Sequence, residues 1–340
     1  MSRIRSHIAV NVLAGLVALL VGCGSLPMRS EPVVMKRAQM HMGTLVTITA
    51  VAKDEAVAQA ATTAGFAEIH RLEGLLSTWI PTSELSRVNA SAGIMPVSVS
   101  SETLTVVQDA LQVAEMTNGG FNIALGPVVE AWNVIESQRI PTESELDELR
   151  PLVNLQAVRA DMRARTIFLE KSGMRIDVGG IGKGYAADQA VDALRRAGAI
   201  AGVVALSGDI KTFGRLPDGK LFPIGVQHPR EAGAVLVWID LQEEAISTAG
   251  DYERFFERDG VRYHHILDPR TLQPARGCQS VTVIAREGVW ADGLDTGIFV
   301  MGPELGMRLV ETLPDVEAII VDADGRLLVS SGLKQRIRMP

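Results

Sequence analysis

Met174-Arg-Ile-Asp-Val-Gly-Gly-Ile-Gly-Lys-Gly-Tyr-Ala-Ala-Asp-Gln-Ala-Val-Asp-Ala-Leu-Arg-Arg-Ala197 reads as a strand, a glycine-rich turn and a helix. Met174 to Val178 is short and apolar. From Tyr185 to Ala197, Ala187, Ala190, Val191 and Leu194 form one apolar stripe, and Gly198 ends the helix. Glycines in the turn let backbone approach a ligand, and a helix N-terminus attracts anions. Lys183 beside that helix start suits a phosphate. A plain tight turn accounts for the spacing equally well. Two commoner phosphate motifs do not fit. A Walker A loop needs glycine where Asp177 stands and Ser or Thr where Gly184 stands, and the dinucleotide fingerprint fails at Tyr185.

Outward from this stretch, Leu45 to Thr49 is β-branched and strand-like, and regular structure is expected from Gly43. Helical spacing predicts Glu55 to Leu76, Thr103 to Met116 (stopped by Asn118-Gly-Gly120) and Thr142 to Leu149. Short strands are predicted at Thr166 to Leu169, Val203 to Leu206, Val235 to Ile239 and Val281 to Ala285. Strands and helices without strict βαβ alternation argue an α+β fold with mixed sheets. Residues 41–340 are expected to form one catalytic unit of two lobes, with the active site between them.

The chain has 340 residues, 47% hydrophobic and 21% charged, ample for a sizeable core. A net charge of −7, with only 4% aromatics, argues against a nucleic-acid partner. Arg3 and Arg5 precede an apolar run from Ile8 to Val21, too short for a comfortable transmembrane helix. Leu20-Val-Gly-Cys23 resembles a bacterial lipobox. It implies a signal peptide over residues 1–22, lipid on Cys23, and a tether over residues 23–40. The expected location is a membrane-anchored lipoprotein facing the periplasm, on the inner membrane. The other cysteine, Cys278, reads as a packed small residue rather than a nucleophile.

Two further islands carry chemistry. Ala291-Asp-Gly-Leu-Asp-Thr296 offers Asp292, Asp295 and Thr296 at i, i+3 and i+4, hard oxygens on one helix face. Aspartates at a helix start complementing its dipole are the bland alternative. Tyr263-His-His-Ile-Leu-Asp-Pro269 holds His264 and His265. A histidine beside a phosphate site is a general-base candidate.

Together these islands resemble the FAD:protein FMN transferase (ApbE) family. The resemblance runs from about Met42 to Gly302 and rests on strings in the family's order. They are Met42-Gly-Thr44, Ser77-Thr-Trp79, Ser83-Glu-Leu-Ser-Arg87 with Asn89, Phe121 to Pro127, Asp177 to Asp188, Ile246 to Arg254, Tyr263 to Pro269 and Ala291 to Thr296. Departures occur at Asn122 and Ala124 (usually Asp and Thr), at the glycines before Asp209, after Trp132 and at Leu272.

The resemblance implies transfer of FMN from FAD to a threonine hydroxyl of another extracytoplasmic protein, with release of AMP. The acceptor it implies is a subunit of a membrane electron-transfer complex, such as a sodium-pumping quinone reductase. It places Met42, Trp79, Gly120, Phe121, Asn122 and Ile266 against the flavin nucleotide, and Asp177 and Lys183 on its polar groups. Mg2+ would be held by Asp292, the Thr296 hydroxyl and the Gly180 carbonyl, with Asp295 behind them or on a second ion. His265 is the expected base and His264 the fallback. An FAD pyrophosphatase using the same site, and a flavin-binding lipoprotein without turnover, stay open as alternatives.

Overall fold

A computed structural model describes residues 31–340. The expected signal peptide and the lipidated Cys23 lie outside the described residues. Eight strands form the central sheet: β1 (Val33–His41), β2 (Thr44–Ala52), β3 (Ala201–Leu206), β4 (Asp209–Phe213), β5 (Ala245–Gly250), β6 (Cys278–Ala285), β7 (Glu317–Asp322) and β8 (Leu327–Val329). They lie side by side in chain order, and every pairing is antiparallel. Helices are inserted between strands: α1 (Glu55–Leu76), α2 (Ser101–Met116) and α3 (Gly182–Arg196) between β2 and β3, and α4 (Gly288–Met301) between β6 and β7. This is the α+β class expected from the sequence.

The period-2 alternation of strands sorts their side chains between two faces. On the helical face, Ile48, Val204, Phe213, Ala245 and Val283 join Ala187, Ala190, Leu194, Leu294 and Ile298 in the principal core. On the other face, Ile246, Ile284 and Ile319 meet Val237, Ile239 and Leu241 of a three-stranded sheet. The same alternation places Asp209 and Lys211 of β4, and Ser247 of β5, toward the helices. The polar site is therefore written into the strands that build the core. No helix among the described residues is long and apolar enough to cross a membrane.

Several local expectations are corrected. Val33–His41, placed by sequence in a tether ending at residue 40, is a full strand whose register runs from Val33–Ala52 to His41–Thr44. Its strict alternation of half-buried and exposed residues marks an edge strand. The short helix Glu84–Ala90 was not anticipated. Met174 to Val178 belongs to no strand. The amide of Asn89 replaces a neighbouring strand there: its Nδ2 donates to Ile176 O at 2.9 Å, and its Oδ1 accepts from Ile176 N at 2.8 Å. Asp177 N donates to Ile123 O. Helix α3 begins at Gly182 rather than Tyr185, so Lys183 lies in its first turn.

Candidate active site

The starts of α3 and α4 cross at two glycines. A Cβ on Gly184 would lie 2.1 Å from Gly288 O and 2.7 Å from Asp292 Cβ, so only glycine permits the approach. The crossing delivers Asp292 to α3, where its Oδ2 accepts from Gly184 N at 2.8 Å. Helix α4 has no side-chain cap of its own. Asp188 of α3 supplies one, accepting from Gly288 N at 2.8 Å and Val289 N at 3.0 Å. Lys211 of β4 stands 3.7 Å from Asp188, and its Nζ also donates to Arg286 O. Burial raises the Asp188 carboxyl to about 6.

Beyond this joint, Asp209, Asp292 and Asp295 bring carboxylate oxygens within 4.8 Å of one another, and all three residues are buried. Lys183 Nζ pairs directly with Asp209 and stands 3.8 Å from Asp292 Oδ1. Burial opposes the lysine's charge, but Asp209 and Asp292 outweigh it and hold the ammonium protonated. The Ser247 hydroxyl lies 2.5 Å from Asp209 Oδ1 and 2.6 Å from Asp295 Oδ2. One hydroxyl carries one proton, so it can satisfy only one of these acceptors as a donor. The remaining contact needs a protonated acid or a neighbouring cation. Burial, Asp209 and the other acids drive Asp292 up to about 7 and Asp295 well above the usual carboxylate range.

This donor set fits a magnesium ion. One lysine does not balance three buried carboxylates, and hard carboxylate and hydroxyl oxygens are what Mg2+ takes. Thr296 Oγ1 joins the cluster through Asp295 Oδ1 at 3.1 Å. A Cβ on Gly180 would meet Thr296 Oγ1 at 3.3 Å and the Phe121 ring at 3.2 Å. The structure thus brings Gly180, Phe121, Asp292, Asp295, Thr296 and Lys183 together. Gly120 packs on the same helix, its Cβ position 2.8 Å from Gly297 O.

Other expected residues have structural engagements. Asp177 Oδ1 accepts from Gly179 N at 2.6 Å, and its Oδ2 accepts from Thr78 Oγ1 at 3.3 Å. Its oxygens hold the glycine turn and tie it to the segment that carries Trp79. The Asn122 side chain accepts from Ala124 N at 2.8 Å. Met42 has a left-handed backbone, φ 48°, and its N–H donates to Glu73 Oε1 at 2.7 Å. Ile266 is buried, whereas Trp79 is 81% exposed. A flat apolar ring left so open has surface to cover a planar ligand.

The two histidines differ. Buried His264 uses both ring nitrogens: Nε2–H donates to Ala275 O at 2.7 Å, and Nδ1 accepts from Ile266 N at 3.3 Å. Burial lowers it to about 4. His265 is half-buried, with Nδ1 3.3 Å from Arg254 O. Desolvation pushes its pKa down, and Arg254, His264 and Lys183 push the same way. With Nδ1–H donated to Arg254 O, the Nε2 lone pair stays available.

Sequence reasoning missed Asp209, Ser247, Asp188 and Arg254 as members of the site. The signal was present: Asp209 alternates with buried Phe213, and Ser247 lies between Ala245 and Ala249 on one face. Only the order of strands in the sheet places them opposite α4. Cys278 is buried, and burial raises its thiol to about 12, which suits a packing residue.

The ApbE family model matches residues 42–320. A FAD:protein FMN transferase of Treponema pallidum is 34% identical over 343 aligned positions, covering 95% of this chain and 94% of the relative. One of Klebsiella pneumoniae is 32% identical, covering 87% and 91%. Among solved structures, the ApbE protein of Thermotoga maritima superposes with a TM-score of 0.84 at 32% identity, over 90% of this chain and all of that one. The flavin transferase ApbE from Vibrio cholerae gives 0.80 at 28% identity, over 90% and 99%. On fold, on the matched span and on these relatives, the chain belongs to the ApbE family.

Proposed function

We propose that this chain is a magnesium-dependent FAD:protein FMN transferase that moves FMN from FAD to a threonine hydroxyl of another protein and releases AMP. The observation that carries the reading is the buried Asp209/Asp292/Asp295 cluster with Lys183, set at the start of two helices beside a glycine turn. Its relatives bear the name of this activity.

In the reaction, the acceptor oxygen forms a bond to the FMN phosphorus, and the bond from that phosphorus to the AMP oxygen breaks. The attacking hydroxyl gives up its proton, and AMP leaves with the bonding electron pair. Asp292, Asp295, Asp209, Thr296 and the Gly180 carbonyl would hold Mg2+, which when bound neutralises diphosphate charge. Lys183 adds a fixed positive charge beside the leaving phosphate. His265 Nε2 takes the proton. Its depressed pKa keeps it neutral, and two negative charges of bound diphosphate beside Arg254 and Lys183 raise its basicity. His264 holds the turn. Phe121, Ile266, Met42 and Trp79 line the flavin's approach, and Asp177 keeps the glycine turn in shape.

The test combines the protein with FAD, Mg2+ and an acceptor subunit from a membrane electron-transfer complex. Flavin fluorescence that stays with the acceptor under denaturing conditions, matched by one AMP per flavin, is expected. Free FMN and AMP alone would make the enzyme a pyrophosphatase, and tight FAD binding without AMP would make it a carrier.

We further propose that Cys23 carries lipid and holds the enzyme on the periplasmic face of the inner membrane, where such acceptors reside. The basic start and the Leu20-Val-Gly-Cys23 string support this. Cys23→Ser should leave unlipidated precursor; normal maturation of that variant would sink the idea.

A further inference from the structure

Three side chains that the proposed reaction does not use converge between β1 and α1. His41 is the last residue of β1. His70 and Glu73 lie on α1 at i and i+3, hence on one face. The strand's alternation turns Arg37, Gln39 and His41 toward this helix, and Arg37 reaches the hydroxyls of Thr62 and Thr63 at 3.1 and 2.8 Å. Ligating atoms of His41, His70 and Glu73 lie within 4.8 Å of one another.

The hydrogen bonds around them fix which atoms are free. His41 Nε2 is 3.0 Å from Gln39 Oε1. An amide oxygen only accepts, so Nε2 carries a ring proton, and in the neutral ring Nδ1 presents a lone pair. That lone pair faces Glu73 Oε2 at 3.5 Å. Two acceptors opposed at this distance need a positive charge between them, either a proton on Nδ1 or a bound cation. The other Glu73 oxygen accepts from Met42 N at 2.7 Å, which holds the carboxylate in place. The His70 ring, 5.7 Å from that of His41 between centroids, is exposed and makes no hydrogen bond among the described residues.

We propose that His41, His70 and Glu73 bind a single Zn2+ ion, with water completing its shell. Two imidazoles and a carboxylate are zinc's donors, and Gln39 and Met42 N–H orient the first and third of them. Zinc bonds of about 2.0–2.1 Å at tetrahedral angles set ligand atoms about 3.4 Å apart. The His41–Glu73 separation of 3.5 Å already has that value, and the exposed His70 can rotate to join. Magnesium disfavours nitrogen donors, so this site and the all-oxygen cluster select different ions. Zinc here would pin the Met42-Gly43 turn to α1 through Glu73.

The full chain, stripped of metal and then saturated with Mg2+, should be titrated with Zn2+ against a chromophoric chelator, with melting followed in parallel. One tight equivalent and a raised Tm are expected. Affinity should fall at least tenfold in His70→Ala and in Glu73→Gln, which keeps an acceptor for Met42 N–H, and stay unchanged in Asp292→Asn. X-ray absorption should show two imidazoles in the zinc shell. No saturable equivalent, binding that survives both His70→Ala and Glu73→Gln, or displacement by Mg2+ would each overturn the proposal. The first result would mean a protonated His41 simply paired with Glu73.

Discussion

Asp188, on α3, accepts the first N–H of α4, that of Gly288, at 2.8 Å. A carboxylate from one helix thus caps the next, and the capped helix carries Asp292, Asp295 and Thr296. We expect Asp188→Ala to cost about 1–2 kcal/mol, the usual worth of a lost N-cap. It should also weaken Mg2+ binding several-fold, because the start of α4 loses its fixed position. Thermal melts and magnesium titrations of the variant check both effects. Loss of stability with unchanged magnesium affinity would separate the cap from the site.

Removing metal should expose the strain among the buried acids. Asp292 titrates near 7 in the folded protein and Asp295 well above its ordinary value, so the folded state binds protons that the unfolded state has released. Stability therefore falls as pH rises through these values. His264 and His265, both lowered, act the opposite way, losing stability as pH falls below their unfolded value. Between about pH 7.5 and 9 the histidines are neutral in both states. In that window the chelated protein should become less stable with rising pH, and saturating Mg2+ should reverse the slope. Urea midpoints at both ends of the window, with and without Mg2+, measure this.

Asp292→Asn should separate catalysis from folding. The amide oxygen can still accept from Gly184 N, so the helix crossing survives. One of three crowded carboxylates is gone, so the metal-free variant should melt no lower than the parent at pH 8. Turnover should fall roughly a thousandfold, as expected when a charged metal ligand is lost. A variant that keeps near-parental turnover would remove Asp292 from the site.

The histidines give a paired test. His265→Ala should lower the rate by roughly a hundredfold or more while FAD still binds. His264→Ala leaves Ala275 O and Ile266 N, both in buried surroundings, without their partner, and should act on stability first. Single-turnover rates and FAD affinities for both variants decide the matter; the reverse pattern would make His264 the base.

Asn89→Leu should be among the costlier single changes. It leaves both backbone polar groups of Ile176 buried and unpaired, at about 1–3 kcal/mol each. The glycine turn three residues further on should loosen with it, which hydrogen exchange at Val178 to Gly182 would report.

Helix α1 and the chemistry-bearing strings were legible in the sequence, because their signals are local. Helix α1 spans Glu55–Leu76 as its apolar spacing predicts, and Asp292, Asp295 and Thr296 share a face because i, i+3 and i+4 must. What escaped was decided by distant partners. The Ile176 segment has strand composition, but a single side chain at position 89 satisfies it where a ladder would have been expected. Asp209 and Ser247 enter the site only because β4 and β5 are neighbours facing α4. The tether reading failed at Val33–His41, where Pro32 and scattered charges masked a strict two-residue alternation along an edge strand.

The strict chain order of the sheet bears on how the protein folds. The β1–β2 and β3–β4 hairpins close almost without a loop, but the β2–β3 pairing must first bring together the ends of residues 53–200. Closing a flexible segment of about 150 residues costs on the order of 4 kcal/mol of chain entropy. That segment contains the glycine turn, Lys183 and Asp188, while the groups they meet, Asp209, Asp292 and the start of α4, lie beyond it. The hairpins can form early, but the candidate site is created only when the long loop shuts. Refolding monitored by flavin binding should therefore lag the appearance of β-structure, with a rate set by this one non-local step.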